Sequence, residues 1–204
     1  IWLPLSKGGV VDMDSLRGRI ESGTLAAVSV MAANNETGVI QPWQNIADLC
    51  AKAQIPYHCD AAQWVGKLSV EGLSACTYVT ACAHKFGGPK GVGFMLLPEG
   101  AADFRLLNGG EQEAAHRAGT EDVAGVFAMS AALENSRPGK AEARDVFIEQ
   151  IVQAIPGAAL IGAGTDRLWN TVSMSMPRHQ SVRWIRALEK AGFLLSSGSA
   201  CSTG

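Results

Sequence analysis

Apolar runs of strand length alternate with helix-like segments through the first two-thirds of the chain, and this alternation restricts the possible folds more than any other feature. The strand-like runs cover residues 26–33, 55–61, 77–83 and 92–97, and a helix-like segment covers 41–54. Runs of this length between helical segments are typical of a mostly parallel sheet flanked by helices. The sequence therefore predicts an α/β fold.

The sequence changes character at the segment SRPGKAEAR (136–144), whose proline, glycine and charges indicate a domain boundary. Beyond it, apolar helical stripes flank an alternating run at 170–176, and FLLSS (193–197) is predicted to form a further strand. We therefore expect two domains. Residues 1–138 would form part of a large domain, and residues 139–204 part of a small α+β domain.

The charge and hydropathy of the chain exclude several classes of partner. It has 17 Lys and Arg against 19 Asp and Glu, which gives a net charge of −2. Both signs are scattered along the sequence, so there is no basic surface for nucleic acid or an anionic membrane. The longest apolar stretches, such as residues 25–33, are far shorter than the roughly 20 residues that span a bilayer. The expected partner is a small molecule or another protein.

The cysteines indicate a reducing compartment. There are five, an odd number, and no two form a CxxC pair, which argues against a disulfide framework and a zinc ribbon. We therefore predict a cytoplasmic protein. Cys201 lies among serine, glycine and alanine in SSGSACSTG (196–204), which predicts a mobile loop. The other four lie on an apolar helical stripe or beside apolar strands and are expected in the core: Cys50, Cys59, Cys76 and Cys82.

Polar residues follow three of the predicted strands, namely Asn35, Asp60 and Lys85. Ligands of open α/β sheets bind outside the carboxyl ends of the strands, so these residues are expected to face one ligand. Lys85 precedes the Gly-rich turn FGGPKG, where its amine can be made nucleophilic toward an aldehyde. A buried carboxylate at Asp60 would need a cationic partner, such as a protonated pyridine nitrogen. Taken alone, Lys85 is better interpreted as a surface lysine at a strand end.

Five segments together change that interpretation. They are NNETG, HCDAAQ, AHKFGGPKGVG, RAGTED and SSGSACSTG, in this order and at these spacings. The sequence resembles, over nearly its whole length, the pyridoxal-phosphate-dependent cysteine desulfurases of the NifS/IscS type. This resemblance implies a pyridoxal phosphate enzyme of fold type I. It further implies conversion of L-cysteine to L-alanine, with the sulfur held as an enzyme persulfide for acceptors such as an iron–sulfur scaffold protein.

The resemblance also implies roles for individual residues. Lys85 matches the lysine that binds pyridoxal 5′-phosphate covalently, and Asp60 matches the carboxylate that keeps the pyridine nitrogen protonated. Asn35 and Gln63 match amides that bind the phenolic oxygen of the cofactor. Gln63 is expected at the start of a helical segment after the second strand.

Other matches concern the phosphate and the sulfur. His84 matches a phosphate contact, and Thr120 matches a threonine that reaches the cofactor of the neighbouring subunit, which implies a homodimer. Cys201 matches the nucleophile that accepts sulfur. The family usually has a serine that donates to the cofactor phosphate, and Cys82 stands at that position here as a cofactor contact with a poorer donor. The hydroxyl of Thr80, on the same strand face, is the candidate replacement for the serine hydroxyl.

Some family features fall outside or depart from these 204 residues. An arginine common in the family is replaced by Ala114. An upstream phosphate-binding turn, a histidine that stacks on the cofactor ring and a downstream arginine for the substrate carboxylate are not in the sequence. The chain also starts without Met. We therefore expect a piece of a longer protein that is incomplete as an enzyme by itself.

Three alternatives stay open at this point. The chain is compatible with an aminotransferase or a selenocysteine lyase of the same fold, or with a non-catalytic homologue that binds a partner. Transamination needs no loop thiol, so Cys201 weighs against the first. The non-catalytic alternative is disfavoured by the presence of Lys85, Asp60 and Cys201. It is mildly favoured by Cys82 and Ala114, which replace residues usual in the family.

Overall fold

The computed structural model describes residues 1–198. Its helices and strands follow the order α1 (Met13–Glu21), β1 (Val28–Met31), α2 (Trp43–Lys52), β2 (Tyr57–Asp60), β3 (Tyr78–Cys82), β4 (Gly93–Leu96), α3 (Val123–Asn135), α4 (Ala141–Ala154), β5 (Ala159–Leu160), β6 (Met174–Ser175) and α5 (Ser181–Lys190). Short 3₁₀ turns cover Leu73–Ala75 and Ala83–Lys85. Among residues 1–198, no helix combines the length and the apolar character needed to cross a membrane.

The chain divides into two compact units. The sheet unit consists of Met13–Ala32 and Pro42–Pro138. The second unit consists of Ile1–Asp12, Ala33–Gln41 and the described residues from Gly139 onward. Two segments from the first 41 residues thus group with the C-terminal third of the chain. The predicted division into two enzyme domains itself remains a prediction.

The sheet unit is built on a four-stranded sheet in the order β1-β2-β3-β4. Strands β1, β2 and β3 are parallel, and β4 is antiparallel to β3. The register pairs Met31 with Asp60 and Asp60 with Thr80, so the three parallel strands end at the same edge. This arrangement confirms the predicted α/β fold with a mostly parallel sheet.

The two faces of the sheet differ in burial because side chains alternate along each strand. On the packed face, the strand residues are buried: Val28, Val30, Tyr57, Cys59, Val79 and Ala81. Helix α2 contacts β1 and β2 and buries Trp43, Ile46, Ala47 and Cys50. Each large apolar side chain in such a layer contributes about 1.5–3 kcal/mol. The opposite face, here called the open face, carries exposed or half-buried polar residues: Ser29, His58, Asp60 and Thr80.

The core contains three of the predicted buried cysteines. Cys50, Cys59 and Cys76 are free thiols with almost no exposure. Burial raises the pKa of Cys50, and a hydrogen bond with Cys59 raises the pKa of Cys76. Cys50 and Cys76 therefore remain neutral at physiological pH and are unsuited to act as nucleophiles.

The residues after β2 form consecutive turns, whereas the sequence predicts a helical segment beginning at Gln63. The N–H of Val65 bonds to the carbonyl of Ala61 at 3.0 Å and the N–H of Leu68 to the carbonyl of Trp64 at 3.1 Å, which makes two separate turns rather than a continuous helix. Gly66 has φ of +76°, in the left-handed region, and this conformation interrupts a right-handed helix. The predicted helical segment is therefore wrong.

In the second unit, two sequence predictions of strands need correction. The strand expected over 170–176 is limited to Met174–Ser175, which pairs with β5. The strand expected over 193–197 is wrong, because this run pairs with no strand among residues 1–198 and Leu194 is 89% exposed. An apolar run without a neighbouring strand cannot pair its backbone groups as a sheet does. Helix α5 ends shortly before Gly192, where φ is +87°.

Arg144 connects α4 to the chain segment ahead of β6, also within the second unit. Its Nη1 donates to the carbonyl oxygens of Arg167 and Leu168, each at 2.8 Å. Its Nη2 lies 2.7 Å from Oδ1 of Asp145, and the same oxygen lies 3.8 Å from Nη2 of Arg167. Burial and the neighbouring charge of Arg144 lower the pKa of Arg167. One carboxylate thus balances two largely buried guanidinium groups.

Candidate active site

The candidate catalytic residues Asp60 and Lys85 lie at the ends of two neighbouring strands. Asp60 is the last residue of β2 and is paired in register with Thr80 of β3. Lys85 is the last residue of the 3₁₀ turn that follows β3 directly. Because β2 and β3 are parallel, both residues lie at the carboxyl edge of the sheet, where open α/β sheets bind ligands.

Asp60 is exposed, whereas the sequence analysis treats it as a buried carboxylate. The strand alternation explains the difference, because Cys59 points into the packed face and Asp60 therefore points to the open face. Oδ1 of Asp60 accepts a hydrogen bond from the N–H of Ala62 at 2.9 Å, which closes a local turn at the strand end. The carboxylate is thus oriented by its own backbone and accessible to a ligand.

Lys85 is held by a tightly bonded turn. The N–H groups of Phe86 and Gly88 both bond to the carbonyl of Ala83, at 3.0 and 2.9 Å. A Cβ added to Gly88 would lie 2.7 Å from the Cβ of Ala83, so this close approach requires glycine. These contacts fix the backbone on both sides of Lys85, while its side chain is exposed at the sheet edge.

Cys82, the last residue of β3, contacts His84, which directly precedes Lys85. Sγ of Cys82 lies 3.7 Å from Nε2 of His84. Burial raises the pKa of Cys82, and the positive charge of Lys85 opposes this only in part. The thiol is therefore neutral near pH 7 and a weak hydrogen-bond donor. If β3 is to offer a hydroxyl donor in place of the family serine, another residue of this strand has to supply it.

Lys67 is a buried cation that the sequence analysis did not identify. Lys67 lies in the turn after β2 and is only 6% exposed. Burial lowers its pKa, and the positive charge of Lys85 lowers it further. Two lysines thus influence each other electrostatically at this sheet edge. The sequence signal was available, because Lys67 stands in the apolar run WVGKL, where a solvated lysine is unusual.

His58 was also missed, although it lies in the strand that ends at Asp60. Its Nδ1 lies 2.9 Å from Oγ of Ser29, and its Nε2 lies 2.9 Å from Oγ1 of Thr80. The ring therefore connects β1, β2 and β3 across the open face. The sequence signal for it is its position two residues before Asp60, because period-two alternation along a strand places both residues on one face.

The remaining predicted residues have less defined surroundings. Gln63 is half-buried in the turn after Asp60, and Thr120 is exposed shortly before α3. Asn35 is exposed and belongs to the second unit. Oδ1 of the neighbouring Asn34 accepts hydrogen bonds from the N–H groups of Glu36 and Thr37, each at 2.9 Å. Cys201 lies outside the described residues.

Two surface concavities occur in the second unit. One, of about 490 Å³, is lined mainly by basic residues: Arg178, His179, Arg183 and Arg186. The other, of about 530 Å³, is lined by Lys140, Ala143, Arg144, Phe147, Trp169, Asn170 and Val172. Neither includes a predicted site residue. Across residues 1–198, no group of three or more His, Cys, Asp or Glu side chains is arranged to hold a metal ion.

Known proteins match this chain along nearly its whole length. The aminotransferase class-V family matches residues 1–203. A cysteine desulfurase of Klebsiella pneumoniae is 37% identical over 203 residues, which cover 96% of this chain and 51% of that protein. The cysteine desulfurase NifS of Azotobacter vinelandii is 34% identical over 210 residues, which cover 99% of this chain and 52% of that protein.

A solved structure shows the same fold. The NifS-like protein from Rickettsia africae ESF-5 superposes with a TM-score of 0.85 at 23% identity, over 97% of this chain and 57% of that chain. The chain spans about half the length of the curated relatives it matches. The family match includes four of the five segments on which the resemblance was based and all but the last residue of the fifth. The chain therefore belongs to the aminotransferase class-V family.

Proposed function

We propose that this chain carries the reactive lysine and cysteine of a pyridoxal-phosphate-dependent cysteine desulfurase. Such an enzyme converts L-cysteine to L-alanine and keeps the sulfur as a persulfide. The observation that carries the proposal is the position of Asp60 and Lys85 at adjacent carboxyl ends of parallel strands. The relatives from Klebsiella pneumoniae and Azotobacter vinelandii, both named cysteine desulfurase, support the same activity.

The donor groups at this sheet edge fit pyridoxal 5′-phosphate. Lys85 offers an exposed primary amine for its aldehyde carbon, and Asp60 an exposed carboxylate for its ring nitrogen. The His84 imidazole and the Thr80 hydroxyl provide N–H and O–H donors for its phosphate. When bound, this cofactor supplies an electron sink for bond changes at the α-carbon of the substrate.

Asp60 and Lys85 have separate tasks in this reaction. Oδ1 of Asp60 already accepts the N–H of Ala62, so Oδ2 is the oxygen that would hold the proton on the ring nitrogen. Nζ of Lys85 would be bonded to the aldehyde carbon before substrate binds, and once the substrate amine replaces it there, the freed lysine amine would move the proton of the substrate α-carbon. The tightly bonded turn around Lys85 keeps this amine near its target while leaving the side chain free to change rotamer.

Cys201 supplies the sulfur acceptor. Its thiolate attacks the sulfur of L-cysteine, an S–S bond forms, and the bond between that sulfur and the β-carbon breaks. The electron pair of the broken bond stays on carbon, which is protonated to give L-alanine. The persulfide on Cys201 then passes its outer sulfur to an acceptor such as an iron–sulfur scaffold protein. The neutral core thiols of Cys50 and Cys76 are unsuited to this step.

The remaining expectations belong to the same proposal. Gln63 and Asn35 would bind the phenolic oxygen of the cofactor, and Thr120 would reach the phosphate of a neighbouring subunit in a homodimer. Residues 1–138 would belong to the large domain and residues 139–204 to the small domain. The four described cysteines are free thiols, which supports a reducing compartment such as the cytoplasm.

The test uses protein expressed from its complete reading frame and incubated with L-cysteine. We expect L-alanine in an amount equal to the persulfide formed on Cys201, measured by alkylation and mass spectrometry. Lys85→Ala should abolish alanine formation, whereas Lys90→Ala, at an exposed lysine of the same loop, should preserve it. Cofactor-loaded protein that forms no alanine would overturn the proposal. Turnover restricted to selenocysteine would favour the lyase alternative.

A further inference from the structure

His58 occupies an unusual position on the open face of the sheet. Both of its ring nitrogens are within 2.9 Å of a hydroxyl oxygen, one from Ser29 and one from Thr80. The three residues come from three adjacent parallel strands, so the imidazole bridges β1 and β3 through β2. No part of the proposed reaction described so far uses this ring.

The bridge ends at a residue that matters for the proposed site. Thr80 and Cys82 are two residues apart on β3 and therefore share a face, as do His58 and Asp60 on β2. The neutral Cys82 thiol is a weak donor, so Thr80 carries the stronger O–H donor of this pair. Whether that proton is available to a ligand depends on the hydrogen bond with His58.

A neutral imidazole permits two arrangements of these protons. In one, Thr80 donates its hydroxyl proton to Nε2, and Nδ1–H donates to Ser29. In the other, Ser29 donates to Nδ1, and Nε2–H donates to Oγ1 of Thr80. Only the second arrangement leaves the hydroxyl proton of Thr80 for an anion, while the bond from Nε2 fixes the position of the oxygen.

We propose that His58 is a positioning residue that holds Thr80 in the second arrangement, so that the Thr80 hydroxyl donates to the phosphate of the cofactor. This inference rests on the proposed function, because the phosphate is that of pyridoxal 5′-phosphate. The Ser29–His58–Thr80 bridge then provides, from three strands, the hydroxyl donor that Cys82 supplies only weakly. A hydrogen bond to a charged group is strong enough that its loss weakens binding roughly tenfold or more.

The test compares the affinities of pyridoxal 5′-phosphate and pyridoxal, which lacks the phosphate, for the full-length apoprotein. His58→Asn keeps a polar group near Ser29 but is too short to reach Thr80, whereas His58→Gln reaches Thr80 with an amide N–H. We expect His58→Asn and Thr80→Val to lose roughly tenfold or more in affinity for pyridoxal 5′-phosphate and little for pyridoxal. His58→Gln and Thr80→Ser should recover most of the loss.

Each other outcome identifies what has failed. If the unmodified protein binds pyridoxal 5′-phosphate no better than pyridoxal, the proposed function fails, and the inference fails with it. If it prefers the phosphate but His58→Asn and Thr80→Val weaken both ligands equally, His58 is only structural and the inference alone is overturned. As an independent readout, ¹⁵N NMR of the His58 ring should show a protonated Nε2 and an unprotonated Nδ1. The opposite tautomer would also overturn it.

Discussion

Gly66 lies so close to Phe86 that a Cβ added to the glycine would be 2.3 Å from the Cβ of the phenylalanine. Gly66 belongs to the turn after Asp60, and Phe86 follows Lys85 directly in the chain. The two segments that carry the proposed catalytic residues are therefore in direct contact. This close contact is possible only because Gly66 has no side chain.

Gly66→Ala should destabilise the protein by about 2–4 kcal/mol, because it combines a steric clash with a left-handed backbone conformation that alanine rarely adopts. Gly87→Ala is the matched control, since Gly87 has φ of +92° but no atom within 4 Å of an added Cβ. The control should cost about 1–2 kcal/mol from backbone strain alone. Denaturant unfolding measures both. Equal losses in the two variants would show that the contact with Phe86 is unimportant.

The buried Lys67 makes stability depend on pH. Burial lowers its pKa in the folded protein below the usual 10.5, so the unfolded state binds more protons between the two values. The contribution of Lys67 to the unfolding free energy therefore rises with pH through this window. Lys67→Met should flatten the rise, measured by denaturant unfolding at a series of alkaline pH values. The exposed Lys90→Met serves as control, and a slope unchanged in Lys67→Met would contradict the account.

Asp60→Asn should lower turnover far more than cofactor content. The amide oxygen can still accept the N–H of Ala62, so the local turn and the folded structure should survive. The amide cannot hold the ring nitrogen protonated, which weakens the electron sink. Cofactor content is measured by absorbance and turnover by alanine formation. Loss of both in proportion would make Asp60 mainly a binding residue.

Arg144→Met should destabilise the protein by about 2–4 kcal/mol, because it leaves two carbonyl groups and a carboxylate without their main donor. Arg144→Lys should restore less than half of this, since an ammonium group lacks the planar fork of the guanidinium. The control is Arg17→Ala, which removes an exposed ion pair with Asp14 and should change stability by about 0.5 kcal/mol or less. A full rescue by lysine would indicate that charge alone matters at Arg144.

The sequence was sufficient to predict the parallel strands and the sheet edge at which their polar residues lie. The apolar runs between helical segments correspond to strand residues that are buried on the packed face, and this burial stabilises β1, β2 and β3. The predictions failed where local pattern and tertiary pairing differ. FLLSS at 193–197 has the composition of a strand, but a strand also needs a partner, which composition does not reveal.

The candidate site was only partly predictable. Lys85 and Asp60 were found because each follows a strand, a relation that sequence shows directly. The exposure of Asp60 follows from which face of β2 packs, and that depends on the position of α2 rather than on the strand itself. His58 was missed because its two hydroxyl partners lie 29 and 22 residues away along the chain, and only the register of three strands brings them together.

The central claim is that the cofactor binds to Lys85 at the carboxyl edge of the sheet. The most direct measurement is borohydride reduction of the full-length protein loaded with pyridoxal 5′-phosphate, followed by peptide mapping of the labelled lysine. Lys67 and Lys90 are the informative rivals, because one influences Lys85 electrostatically and the other lies in the same loop. The account predicts the pyridoxyl group on Lys85 and its loss in Lys85→Ala. A label on Lys67 or Lys90 in the unmodified protein would contradict it.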